Sequence, residues 1–304
     1  MKQTTSHIFM AEPMHFAFNE QAAKSNSFQN KSEITPAELK RLALKEFNQA
    51  VEMLRSYGVE VTVIKGDQEI CLPDAVFPNN WFSTHETGEL ILYPMATENR
   101  RAERREDVIQ GMIKKFGYRK VDLSHYEEET PPKYLEGTGS LVFDHTNKIM
   151  YAALSPRTSE DLVQEVAQIL GYEAVCFHAF GKGGELIYHT NVMMCVGETF
   201  ILIGKDTIEK EDLPRVDNYL QNSGKEVLIL SNTQVYNHFA GNMLQVSNGV
   251  SQSLLVMSAT AMQSLSETQL ETLSKHNDYL VALDIPTIEF VGGGSARCML
   301  AEVW

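Results

Sequence analysis

The chain has 304 residues, 43% of them apolar and 22% charged, which is enough to build a packed core and too apolar for a disordered chain. A formal charge of −14 disfavours nucleic acid and anionic membrane faces as partners, and none of the four cysteines forms the Cys-x-x-Cys pair of a zinc or redox site. Met1–Glu20 lacks a signal-peptide pattern and no stretch reaches the length of a membrane span, so a cytoplasmic protein with free thiols is expected.

In chain order, the first strong pattern is an amphipathic helix over Pro36–Tyr57, with Leu39, Leu42, Ala43, Phe47, Val51 and Leu54 on one stripe, leading into a strand at Val59–Val63. Five similar segments follow. Each has a small or amide residue, an apolar strand, a polar turn and a second apolar strand. They are Asn79–Tyr93, Gly139–Leu154, Thr190–Ile203, Gly241–Met257 and Ala296–Leu300, where the fifth stops at its first strand. With Asn80, Gly139, Asn191, Asn242 and Arg297 as matched positions, the spacing is roughly 50–60 residues, a repeat-architecture period. Helices are predicted between them at Glu103–Phe116, Ser159–Leu170, Ile208–Ser223 and Ser266–His276. Arg100, Arg101, Arg104 and Arg105, interleaved with Glu98, Glu103 and Glu106, read as a solvated helix face.

Single β-rich units of this size cannot bury their own apolar faces. A closed α/β propeller of five ββαβ-like units does so, within a single domain over residues 1–304. An open α/β sheet is the plainer alternative. In the closed ring the matched positions converge at one end of a central channel.

Three residues near those positions carry chemistry. Cys298 follows Gly292-Gly293-Gly294-Ser295-Ala296-Arg297, a loop whose glycines allow close backbone approach and offer N–H groups to developing negative charge. A buried structural thiol is the alternative, and it is the reading preferred for Cys71, Cys176 and Cys195. His189, before Thr190-Asn191, starts the third unit and could serve a thiol as base. Glu136, in Leu135-Glu136-Gly137, starts the second and could orient that imidazole. Taken singly, a core histidine and a strand-end glutamate are the commoner fates.

Together these segments resemble the pentein superfamily of guanidine-modifying enzymes, which includes arginine and agmatine deiminases, dimethylarginine hydrolases and glycine amidinotransferases. The similarity runs over nearly the whole chain. Leu135-Glu136-Gly137 is similar to that family's Glu-Gly segment and His189-Thr190-Asn191 to its His-x-Asp segment. The Gly292–Met299 stretch resembles the arginine deiminase terminus and is the most specific match. Leu154–Thr158 resembles a stretch whose arginine, here Arg157, grips a substrate carboxylate, and Arg101 is a weaker candidate for that task. Pro73–Phe77 resembles the start of a substrate-binding stretch, which adds Asp74 and Phe77.

The departures point to substrate. Where relatives place carboxylates against a guanidinium, this chain has Asn79, Asn80 and Asn191. A guanidinium is always charged and only donates hydrogen bonds, whereas a ureido group is neutral and both donates and accepts, as an amide does. The chain therefore looks most like the citrulline-utilisation hydrolases among the penteins. The resemblance implies a cysteine hydrolase with Cys298, His189 and Glu136 as catalytic residues, a small-molecule substrate, and no metal or cofactor. Homo-oligomerisation is left open. The rivals are an arginine or methylarginine hydrolase, an amidinotransferase, and an inactive propeller that serves as a binding module.

Overall fold

The computed structural model describes all 304 residues. Its strands are β1 (His7–Ala11), β2 (Glu60–Ile64), β3 (Phe82–Thr84), β4 (Glu89–Leu92), β5 (Arg119–Asp122), β6 (Val142–Asp144), β7 (Ile149–Ala153), β8 (Glu173–Phe177), β9 (Met194–Val196), β10 (Phe200–Ile203), β11 (Glu226–Ile229), β12 (Leu244–Ser247), β13 (Ser253–Ser258), β14 (Tyr279–Leu283) and β15 (Ala301–Val303). They form five three-stranded sheets.

Four sheets share one plan: β3-β4-β5, β6-β7-β8, β9-β10-β11 and β12-β13-β14. In each, the central strand runs antiparallel to the strand before it and parallel to the strand after it. An antiparallel pair needs only a hairpin, while a parallel pair needs a crossover. Helices Glu106–Phe116, Glu160–Leu170, Leu213–Asn222 and Glu267–His276 supply the crossovers. The fifth sheet draws on both ends of the chain. β15 pairs antiparallel with β1, and β1 pairs parallel with β2 across helix Pro36–Ser56. That pairing closes the five-bladed α/β propeller predicted from the repeats. It also explains why the fifth repeat stops after one strand: its second strand is the first of the chain.

Local chemistry sets the element ends. Pro36 begins the long helix, and the Thr35 hydroxyl caps it by accepting from the Glu38 N–H. Ser266 forms a capping box with Gln269. Gly117 and Gly171 end their helices in the left-handed conformation. The predicted helix Ile208–Ser223 begins only at Leu213, where Pro214 suits a first turn and nothing upstream does. The predicted helix Glu103–Phe116 begins only at Glu106, and a separate short helix, Glu98–Arg101, precedes it. Three short helices, Asn232–His238, Ala259–Ser264 and Pro286–Gly292, are too brief to show a period in sequence.

The central strands β4, β7 and β10 are almost wholly buried between the channel and the helices. The parallel outer strand β5 is largely exposed, which is why its Arg119-Lys120-Val121-Asp122 does not read as a strand. No helix is long and apolar enough to cross a membrane.

Candidate active site

Counting three residues back from the first strand of each unit gives Asn79, Gly139, Asn191, Gly241 and Cys298. The sequence alignment of the repeats was therefore one residue out at Asn80, Asn242 and Arg297. The neighbour of the nucleophile candidate, Arg297, turns toward the other end of the channel, where its guanidinium pairs with Glu302 at 2.8 Å.

One cavity of about 260 Å³ opens at the Cys298 end of the channel. It is bordered by Asp74, Phe77, Asn80, Arg157, His189 and Cys298 from the sequence reading, and also by Asn26, Arg100, Tyr188 and Gly292–Gly294. Cys298 is buried in a short 3₁₀ turn, Ala296–Met299. Its sulfur accepts from the Nδ2 of Asn242 at 3.3 Å and the Nδ2 of Asn191 at 3.5 Å.

His189 Nε2 lies 2.8 Å from Glu136 Oε2. Glu136 also takes an N–H from Arg157 at 3.3 Å and the Ala96 backbone N–H at 3.0 Å. Burial alone would raise the Glu136 carboxyl, but Arg157 and His189 hold it well below the usual carboxylate range. Burial pulls the His189 imidazole down to about 4, against the opposing effect of Glu136. The resting state thus pairs a neutral imidazole with an ionised carboxylate.

Gly139 makes this packing possible. A Cβ there would stand 2.5 Å from Asn80 Nδ2 and 2.7 Å from His189 Nδ1, closer than side chains approach. The triple glycine allows the close backbone approach expected of it, since a Cβ at Gly292 or Gly294 would meet the Phe77 ring, but one of its N–H groups is committed within the fold. Gly293, at φ +61°, is the left-handed cap of helix Pro286–Gly292, and its N–H already donates to the Glu289 carbonyl. It is therefore not free for an oxyanion. Its carbonyl accepts from Tyr188 Oη at 2.6 Å, and the loop packs on the ring of Phe77.

The arginine cluster departs most from the sequence reading. Arg100 and Glu103 are buried rather than solvated. Arg100 borders the cavity, whereas Arg101 turns away to the Met95 carbonyl and Glu127. Arg101 is thus removed from the substrate-carboxylate candidates. Arg157 commits one N–H each to Ser25, Ala22 and Glu136, which leaves one hydrogen on each terminal nitrogen. Asp74 is buried and accepts from Asn19 at 2.8 Å; burial raises its carboxyl, against Arg100. Asn79 is fully buried but does not border the cavity, and both its amide atoms lack protein partners. Asn191 Oδ1 and Asn80 Nδ2 are likewise unpartnered. Cys176 and Cys195 are buried as expected of structural thiols, while Cys71 is exposed.

Comparison with solved structures agrees with the fold. The N-terminal domain of ArgZ, an arginine dihydrolase from the ornithine-ammonia cycle in Cyanobacteria, superposes with a TM-score of 0.73 at 17% identity, covering 97% of this chain and 96% of that domain. Full-length ArgZ gives 0.74 at 17% identity over 97% of this chain, which spans only 40% of the length of ArgZ. A dimethylarginine dimethylaminohydrolase gives 0.65 at 16% identity, over 99% of this chain and 100% of that one. No curated protein matches the sequence. The family model described as eukaryotic N,N dimethylarginine dimethylhydrolase matches residues 12–304. The chain belongs to that family, and with it to the pentein superfamily of enzymes that act on C–N bonds of guanidino compounds.

Proposed function

We propose that the chain is a cysteine hydrolase that converts citrulline to ornithine, ammonia and carbon dioxide. The observation that carries this reading is the set of groups at the sulfur end of the cavity. Asn80 borders the cavity, and Asn191 and Asn242 donate to the Cys298 sulfur, to which no carboxylate is hydrogen-bonded. A buried guanidinium held by neutral amides would lack a counter-charge at its reacting end, whereas a ureido group can donate to and accept from them.

Arg157 would hold the substrate carboxylate with its two remaining N–H groups, Asp74 the α-amino group, and Phe77 the methylene chain. The Cys298 thiol gives its proton to His189, and the thiolate attacks the ureido carbon. His189 then protonates the departing nitrogen, releasing ammonia and leaving a carbamoyl thioester on Cys298. Next His189 takes a proton from water, whose hydroxyl adds to the thioester carbon. The sulfur leaves and takes back a proton. The resulting carbamate loses carbon dioxide to give ornithine. Glu136 holds the imidazole in place and stabilises its charged form.

A guanidino substrate is the second reading. It is favoured by the family's description as a dimethylarginine hydrolase, by the arginine dihydrolase activity named for ArgZ, and by the buried carboxylates Asp74 and Glu136. Acid-quenched turnover followed by peptide mass analysis tests the covalent step. A carbamoyl adduct on the Cys298 peptide is expected with citrulline. An unmodified peptide during rapid turnover would contradict nucleophilic catalysis.

A further inference from the structure

A second cavity lies beside the catalytic one, across a stretch of the N-terminal segment. Asn26 borders the catalytic cavity, whereas Phe28 borders this one, a groove of about 1130 Å³ that is open to solvent. Three more aromatic residues line it: Tyr236, Phe239 and Phe290. Phe290 is 52% exposed on the helix Pro286–Gly292, a large apolar ring left in water at the edge of a cavity. Phe239 ends the helix Asn232–His238 in the left-handed conformation, at φ +51°. A bulky side chain rarely takes that conformation. Here it sets the Phe239 ring 5.2 Å from the ring of Phe28.

The same groove is bordered by a buried carboxylate. Glu289 is only 6% exposed. Its Oε1 accepts from the Ser295 hydroxyl at 2.5 Å, and the Ser258 and Thr260 hydroxyls act in the same sense. Hydroxyls satisfy lone pairs but do not cancel a charge. The one basic group that acts on this carboxyl, His238, does so without forming an ion pair, and burial raises the carboxyl above its usual range. A carboxylate taken out of water without a counter-charge is costly. Glu185 adds a second acid at the border, and the only cation there, Lys182, is exposed on the Gly181–Gly184 loop. The groove therefore combines aromatic walls with an excess of negative charge.

We propose that this groove binds a small organic cation, an alkylammonium or alkylguanidinium, at a site separate from the catalytic cavity. The cation supplies the counter-charge that Glu289 lacks, and its N–H groups donate to that carboxylate. The rings of Phe28, Tyr236, Phe239 and Phe290 cover its alkyl body and attract its charge through their π faces. A neutral ligand of the same shape would leave the carboxylate uncompensated. The Ser295 carbonyl accepts the Cys298 N–H at 3.0 Å, so the carboxylate that meets the cation also holds the turn that carries the thiol.

The test is calorimetric titration of the full chain with butylguanidinium and with its neutral isostere butylurea, in the wild type, Glu289→Gln, Phe290→Ala and Asp74→Asn. Saturable binding of butylguanidinium is expected, about 10-fold or more tighter than butylurea, because only the cation makes a charge-assisted bond to Glu289. Glu289→Gln is expected to weaken it by about 10-fold or more, and Phe290→Ala by about 3-fold, the scale of one exposed cation–π contact. Asp74→Asn, in the catalytic cavity, is expected to leave it unchanged. Should Glu289→Gln fail to fold, the exposed Phe290→Ala and the butylurea comparison carry the test. No saturable binding, or equal affinity for the cation and butylurea, overturns the proposal. So does wild-type affinity in both Glu289→Gln and Phe290→Ala. Binding that Asp74→Asn removes and Phe290→Ala spares puts the cation in the catalytic cavity and overturns it as well.

Discussion

At the scale of single residues, the site depends on closeness that only small or amide side chains allow. Gly139→Ala puts a methyl group 2.5 Å from Asn80 Nδ2 and 2.7 Å from His189 Nδ1. Gly139 has no left-handed backbone requirement, so the fold should tolerate the change while the imidazole is displaced. The expected result is a loss of kcat of about 100-fold, the scale of a misplaced general acid-base, with a thermal transition close to wild type. Activity within a few-fold of wild type would show that His189 has room to move without consequence. Much of this site was legible in sequence, because Cys298, His189 and Glu136 each sit beside a repeat boundary. Arg100 and Asn242 were not read as site residues. An arginine among glutamates looks the same in sequence whether it faces water or a buried Glu103. The side-chain direction of Asn242 depends on a 3₁₀ turn contributed by the last blade.

At the scale of elements, the helix Pro286–Gly292 carries the glycine loop to the cavity and is held by another helix. Glu46, on Pro36–Ser56, accepts from the Thr287 N–H at 3.0 Å and the Ile288 N–H at 3.0 Å. These are first-turn donors that the helix itself cannot satisfy. A carboxylate at that end also opposes the positive end of the helix dipole. Glu46→Ala is expected to cost about 1–2 kcal/mol in denaturant unfolding, the scale of losing a helix cap. A midpoint unchanged from wild type would mean that water replaces the carboxylate without penalty. The sequence showed the amphipathic stripe of the long helix but not this contact. A charged residue buried at an inter-helix cap looks like any solvated glutamate until its partner helix is known.

At the scale of the whole molecule, ring closure depends on the N-terminus. β1 lies between β15 and β2 and is buried along its length, so it completes the blade that holds Cys298. Gln3 adds to this by donating to the Phe143 and Val196 carbonyls across the far end of the channel. Deletion of residues 1–11 is expected to abolish the cooperative thermal transition, because it leaves two open sheet edges and an exposed core. A truncated chain that unfolds cooperatively near the wild-type temperature would contradict closure through β1. The period of the repeats was enough to anticipate five blades. It was not enough to assign the N-terminal segment, which contributes one strand to a blade whose other strands lie elsewhere in the sequence.

The cavity ends on a sulfur that accepts from two asparagine amides. The most direct test is ammonia release by purified protein given citrulline, arginine and dimethylarginine in parallel, with Cys298→Ala as the control. Citrulline turnover that the substitution abolishes is the predicted result. Turnover of arginine or dimethylarginine without citrulline would contradict the ureido reading and leave a guanidino hydrolase on the same scaffold.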